Sequence, residues 1–261
     1  MKSRVSRWAP GVPLAGVLGL TSVLVVGLAS AASADSPPSG ASAGPSLSGW
    51  RLILPVNSSG GRTGDDAAEL NPAALDSPWL TRKPGGALDF WAPAIGATTP
   101  GSLHARTELD SDEPFILGQG PAQSLKETLA VTKEPTQTKN IIIAQLFEQG
   151  GSTAEEPYTM LHYDNGEIYV YTTGVSGDDD LMSGVPLGAK FATSITASGN
   201  DLTFTAAYNG KTATHTIQNT AGFPGNDVEW HAGDYEQDVP QGASQSDGGR
   251  VVMYQLRTSQ G

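Results

Sequence analysis

Three short segments bring together residue types able to grip an anionic group: His104-Ala105-Arg106-Thr107-Glu108, Gln145-Leu146-Phe147 and His231-Ala232-Gly233-Asp234-Tyr235-Glu236-Gln237. Side chains of an extended chain alternate between faces. His104, Arg106 and Glu108 therefore share one face, Gln145 and Phe147 another, and His231, Gly233, Tyr235 and Gln237 a third. The Arg106 guanidinium can hold a carboxylate through two parallel bonds with Glu108 fixing its orientation, or the two can form an ordinary cross-strand ion pair. Gln145 sits in an apolar run, and its amide needs partners that either the core or a ligand supplies. Gly233 lets another chain approach closely, which suits a groove floor and equally a bulge.

Positioning these groups requires strands. Asn165-Gly166 and Asn209-Gly210 each separate two alternating runs, 159–163 from 167–172 and 202–208 from 211–217. Asn-Gly supplies the positive φ angles of a tight primed turn, so both read as β-hairpins. Residues 50–55 read as an opening strand that stops at Pro55, 141–147 as a strand buried on both faces, and 251–258 as a further strand. The stretch 65–80, Ala-rich but broken by Pro72 and Pro78, leaves room for at most a short helix. Many short strands with Gly, Pro and Asn turns predict an all-β antiparallel sandwich, a jelly roll of concanavalin-like type with at most a few short helices, over residues 49–261.

Composition narrows the function. The chain has 261 residues, 15 Lys+Arg against 27 Asp+Glu, and no cysteine. Lys2, Arg4 and Arg7 precede an apolar run over 14–29, and Ala32-Ser33-Ala34 supplies small residues for cleavage, so residues 1–34 read as a secretory signal. The run falls short of the ~20 residues that a membrane span needs. A flexible leader over 35–48 follows, and the product is expected to be secreted, extracellular and free of the membrane after cleavage. Residues 35–261 keep 12 Lys+Arg against 27 Asp+Glu, a net charge of −15. That balance argues against a nucleic-acid partner, whose binding draws on phosphate neutralisation. A polyanion remains a possible ligand only where the few cations are gathered. Without cysteine there are no disulfides, thiol nucleophiles or thiolate zinc sites. No cofactor is expected; Asp178-Asp179-Asp180 invites a structural calcium, but three adjacent aspartates lack a ligand-spacing pattern. A monomer is expected.

The order and separation of the three segments resemble those of the alginate lyases of polysaccharide lyase family 7 and of their jelly-roll relatives, the glucuronan lyases of family 20. Trp50 to Val56 is similar to the family's opening strand, Arg106-Thr107-Glu108-Leu109 to its Arg-(Ser/Thr)-Glu-Leu motif, and Ala232-Gly233-Asp234-Tyr235-Glu236-Gln237 to Ala-Gly-x-Tyr-x-Gln. The resemblance spans residues 49–258 and implies a jelly roll that cleaves an acidic polysaccharide by β-elimination. It assigns Tyr235 as proton carrier, provided nearby cations make a phenolate accessible, and Arg106, Gln145 and His104 as the groups that neutralise the substrate carboxylate. Glu108, His231, Gln237 and Trp91 are the expected substrate contacts. Three departures bear on the substrate: Phe147 stands where alginate lyases carry the histidine of Gln-(Ile/Val)-His, His104 where they usually have tyrosine, and His231 where they usually have lysine. A histidine beside the arginine strand is similar to glucuronan lyases. The resemblance thus implies glucuronan or mannuronate-rich alginate as substrate.

Two other classes are compatible with the same sandwich. A glycoside hydrolase would set carboxylates on alternate positions, as Glu108, Asp110 and Asp112 are, although Glu113 falls one place early for the retaining pattern Glu-x-Asp-x-x-Glu. A non-catalytic sugar-binding module would stack Trp79, Trp91 and Trp230 on pyranose rings, a use that competes with core packing.

Overall fold

The computed structural model describes residues 44–72, 77–149, 156–175, 177–218 and 227–261. The signal segment and most of the leader lie outside the described residues. Sixteen strands, numbered in chain order, form two antiparallel sheets, with no α-helix among the described residues. The first sheet runs β11 (Asp179–Ser183), β10 (Glu167–Thr172), β9 (Pro157–Asp164), β8 (Asn140–Gln149), β15 (Asp227–Glu236), β5 (Arg106–Ser111), β1 (Trp50–Asn57) and β2 (Ala67–Leu70), with β6 (Phe115–Ile116) pairing β15. The second runs β14 (Lys211–Ile217), β13 (Asp201–Tyr208), β12 (Phe191–Ser198), β7 (Gln123–Lys133), β16 (Gly248–Gln260), β4 (Leu88–Pro93) and β3 (Leu80–Arg82). This is the jelly-roll sandwich.

Both hairpins form at the predicted turns. Asn165 and Gly166 have φ of 50° and 84°, Asn209 and Gly210 of 50° and 73°, the left-handed pair that matches the strand twist. One expectation needs correction. β1 continues through Pro55 to Asn57, because its pairing with β5 ends at Ile53 and no neighbour requires an N–H at position 55; the Pro55 carbonyl instead accepts from Ala97 N–H at 2.9 Å. Within the stretch 65–80, residues 67–70 form an edge strand on β1, and 73–76 lie outside the described residues.

Alternation places Leu109, Leu146, Trp230 and Ala232 of the first sheet inward, against Leu125, Phe204, Val251 and Met253 of the second. Each fully buried apolar side chain of that size contributes about 1.5–3 kcal/mol. Trp230 packs beside Phe115, with ring centroids 5.3 Å apart, so it belongs to the core.

Acids also face inward. Asp234 accepts Ala92 N–H at 3.0 Å, Glu236 accepts Asp238 N–H at 2.9 Å, and Glu127 accepts the Thr193 hydroxyl at 3.0 Å. Burial pushes Glu127 up to about 8 and Glu236 up to about 9. Because these values lie above the unfolded ones, the folded chain holds protons that the unfolded chain releases. Their stabilisation is complete below about pH 4.5 and is lost as pH rises through 8–9. His162, held down at about 3 by burial, acts oppositely, costing stability as pH falls from about 6.5 toward 3. Urea midpoints are therefore expected to peak on the acid side of neutrality and to fall toward pH 9, by about 1.4 kcal/mol per pH unit for each extra proton held. Glu127→Gln and Glu236→Gln should flatten that fall. A midpoint that rises from pH 6 to 9 contradicts the assignment.

Candidate active site

The three segments become neighbouring strands in the order β8, β15, β5. Tyr235 lies opposite Arg106, Gly233 opposite Glu108, and His231 between Asp110 on one side and Gln145 on the other. Arg106, Glu108, Gln145, His231 and Tyr235 present their side chains on the outer face of the first sheet. Gly233 marks a bulge. The β8–β15 register shifts between Ala232 and Tyr235, and at φ 150° a Cβ on Gly233 would meet the Thr107 carbonyl at 2.7 Å and the Phe90 ring at 3.1 Å. Any side chain there is strained and pushes the strand pair apart.

The Arg106 guanidinium lies over the Tyr235 ring, 3.6 Å from its centroid, and donates to Glu108 Oε2 at 3.0 Å. Glu108 is fully buried; its other oxygen accepts Gln145 Nε2 at 2.6 Å. His231 Nδ1 lies 3.3 Å from Glu108 and 3.4 Å from Asp110, while Nε2 lies 3.0 Å from Glu229 Oε1. With carboxylates at both nitrogens, the ring must donate twice and is an imidazolium. Burial opposes that charge, but Asp110, Glu108 and Glu229 overcome it and raise His231 to about 10. Burial also raises Asp110 to about 7, with Glu108 and Glu229 adding to the shift and His231 opposing it. Glu108 is held low: burial opposes its charge, and Arg106 followed by His231 more than compensates. Beyond Glu229, Arg51 Nη2 donates at 2.6 Å and Gln149 donates to the other oxygen. Charges thus alternate along the sheet: Arg106, Glu108, His231, Glu229, Arg51.

Not every residue singled out in the sequence joins this set. His104 precedes β5; its Nδ1 lies 2.9 Å from the Asp238 carbonyl, so Nδ1 carries the hydrogen and Nε2 is left as the free ring nitrogen. Its ring centroid is 6.2 Å from that of Tyr235. Phe147 stacks on His231, centroids 4.8 Å apart and planes inclined by 18°. Gln237, expected at the substrate, turns its amide back onto the carbonyls of Tyr235 and Glu236. Glu108 and His231, also expected there, are enclosed by their own partners and position Arg106 and Gln145. Trp91 is not brought to the site: it lies on β4 of the other sheet with Lys133 Nζ 4.3 Å from its ring. His162, expected without a partner, is buried against Tyr169 and bonds Asn140 at 2.9 Å. His215 pairs with Asp179 at 3.2 Å.

Sequence reasoning missed Ser102. Its hydroxyl lies 2.8 Å from Tyr235 Oη and donates to the His104 carbonyl at 3.0 Å, while Arg106 Nη2 approaches at 3.4 Å. It occupies a loop, where no periodicity marks it. Glu229 was missed as well, although it precedes His231 by two and so shares its face.

Glu108, Asp110 and His231 offer ligand atoms within 4.8 Å of one another. In this structure both nitrogens of His231 face carboxylates, and the groups form an ion cluster. The carboxylates that invited a comparison with hydrolases are the ones His231 engages. A hollow of about 640 Å³ lies near Trp50, Arg82 and Asp112. It contains neither Tyr235 nor Arg106 and offers no proton-transfer group beyond Asp112.

A family model described as alginate lyase matches residues 46–260. The fold is similar to that of an alginate lyase from Pseudomonas aeruginosa, 24% identical, with a TM-score of 0.70 over 83% of this chain and 100% of that one. An alginate lyase from Klebsiella pneumoniae is 21% identical, with a TM-score of 0.70 over 82% and 96% of the two chains. The family 7 alginate lyase A1-II′, solved as a variant in complex with substrate, is 21% identical, with a TM-score of 0.67 over 82% and 93%. No curated protein matches. At these identities the solved structures speak for the fold, and the family model, matched across nearly all of the sandwich, speaks for the lineage: the chain belongs to the alginate lyase family and is a polysaccharide lyase.

Proposed function

We propose that this chain is a secreted enzyme that cleaves a 4-linked β-uronate polymer, glucuronan or mannuronate-rich alginate, by syn elimination. Tyr235 takes the proton from C5, the released electron pair forms the C4–C5 double bond, the C4–O bond breaks, and Tyr235 returns the proton to the leaving oxygen. Charge that builds on the carboxylate is met by donors of Arg106 and Gln145, and by His104 when its Nε2 also carries a hydrogen. In β-linked glucuronate and mannuronate the C5 proton and the C4 oxygen leave from one face, so one phenol serves both transfers. Guluronate presents its C5 proton on the opposite face and requires a second group.

The observation that supports this reading is the Phe147–His231 stack. At the position of the family's histidine stands a ring that carries no proton, packed on an imidazolium that three carboxylates immobilise. Tyr235 is the proton carrier of β15 that lies against Arg106 and Ser102, whereas Glu229 is engaged by His231 and Arg51.

The test is ultraviolet detection of the unsaturated uronate on glucuronan, polymannuronate, polyguluronate and a neutral glucan. Loss of a positioned acid or base costs about 10²–10⁴-fold, so polyguluronate should be slower than the better β-uronate by at least about 10²-fold. Equal turnover of guluronate would mean that a second proton carrier exists. New reducing ends without ultraviolet absorbance would indicate hydrolysis.

A further inference from the structure

We infer that the outer face of the seven-stranded sheet is a second, non-catalytic binding surface for the polyuronate chain, on the side of the sandwich away from Tyr235. The inference rests on the acidic polysaccharide reading above.

The first observation is a like-charge pair. Lys126 on β7 and Arg257 on β16 are direct cross-strand partners, and both are exposed. Like charges placed opposite each other destabilise a sheet. No ion pair with a described residue relieves them, although residues 35–261 carry 27 Asp+Glu against 12 Lys+Arg. In so acidic a chain, a repulsive pair without a carboxylate beside it points to an anion supplied from outside.

The second observation is shape. Two hollows of about 290 and 350 Å³ share Thr128, Ala192 and Ala207 and so form one continuous trough. Lys126 and Arg257 line one end, Lys190 and Lys211 the other. Ser194 lies in register with Lys126, and Lys190 precedes it by four residues, so the two cationic ends are roughly 13 Å apart along the strands. That distance spans more than one sugar of a 4-linked chain, so the two ends can meet carboxylates on separate residues of one segment. Small side chains keep the floor low, and hydroxyls of Thr128, Ser194 and Thr205 offer hydrogen bonds to sugar hydroxyls. Lys190 stands 3.7 Å from the Tyr254 ring centroid. Glu127, the single acid among the lining residues, turns its carboxylate inward to Thr193.

A segment bound here cannot be the segment at Tyr235, because two packed sheets separate them. The surface therefore tethers the enzyme to long chains and raises the local concentration of cleavable bonds, an effect that short oligomers cannot feel.

The experiment uses the full chain carrying Tyr235→Phe, so that polymer persists, in affinity gels containing polymannuronate, glucuronan or a neutral glucan. A uronate trisaccharide is added to fill the catalytic cleft. Retardation is expected in the two polyuronate gels alone, and Lys126→Glu with Arg257→Glu should weaken it about tenfold, equivalent to about 1.4 kcal/mol. With Tyr235 intact, the same pair of changes should leave oligouronate turnover unchanged and lower it on dilute polymer. Undiminished retardation of the double variant overturns the inference, as does equal retardation by duplex DNA, which would indicate a general polyanion surface. Failure of the parent chain to cleave oligouronates would count against the lyase mechanism instead, and the two failures are read from different measurements.

Discussion

Tyr235→Phe is expected to lower turnover of the preferred β-uronate polymer by about 10²–10⁴-fold while the protein stays folded. The substitution keeps the ring on which Arg106 rests and removes the hydroxyl 2.8 Å from Ser102. Loss of that hydrogen bond should cost about 1 kcal/mol of stability. Binding of polymer should persist, because the carboxylate donors remain, so kcat falls and KM changes little. Ser102→Ala should act in the same direction but less. Ser102 has one proton, given to the His104 carbonyl in the resting state, and rotation about its side chain can redirect it to the tyrosine oxygen once that oxygen bears charge. A loss of one such charge-assisted bond is worth about tenfold. If Tyr235→Phe releases unsaturated uronate at the parental rate, the tyrosine has no part in proton transfer.

The part of this site that could be read from the sequence is the part governed by alternation. Period two placed Arg106 with Glu108, and His231 with Tyr235, and these four side chains lie as that period requires, while Gly233 sits at the bulge. Asn-Gly marked both hairpins because few other pairs accept two positive φ angles. Alternation does not say which sheet a strand joins, and for that reason Trp91 was expected at the substrate although β4 belongs to the opposite sheet. Nor does it reach into loops, where Ser102 sits, or across strands remote in sequence, where Arg51 meets Glu229. Pro55 misled for a related reason: a proline ends a strand only where a neighbour needs its missing N–H.

The role of His231 follows from those long-range pairings and carries the largest expected effect on stability. His231→Leu removes the one cation between Glu108, Asp110 and Glu229 and leaves buried carboxylates facing one another. Breaking a buried pair in this way costs about 3–5 kcal/mol, enough to lower the melting temperature by several degrees at least. The loss should depend on pH. Because His231 is raised to about 10 in the folded chain, its contribution is complete below about pH 6.5 and disappears as pH climbs through 10. Parent and variant should therefore differ most near pH 6 and converge in alkali. His231→Lys restores a cation in the place where alginate lyases usually carry lysine, and should recover part of the difference, whereas His231→Gln should not. Catalysis gives an independent reading. Glu108 released from His231 would draw more strongly on Arg106 and Gln145, the two donors needed for the substrate carboxylate, so surviving His231→Leu enzyme should show a lower kcat with its proton-transfer group intact. A variant as stable as the parent at pH 6 would mean that Arg106 and Arg51 alone neutralise the carboxylates, and that the imidazolium is dispensable to both fold and site.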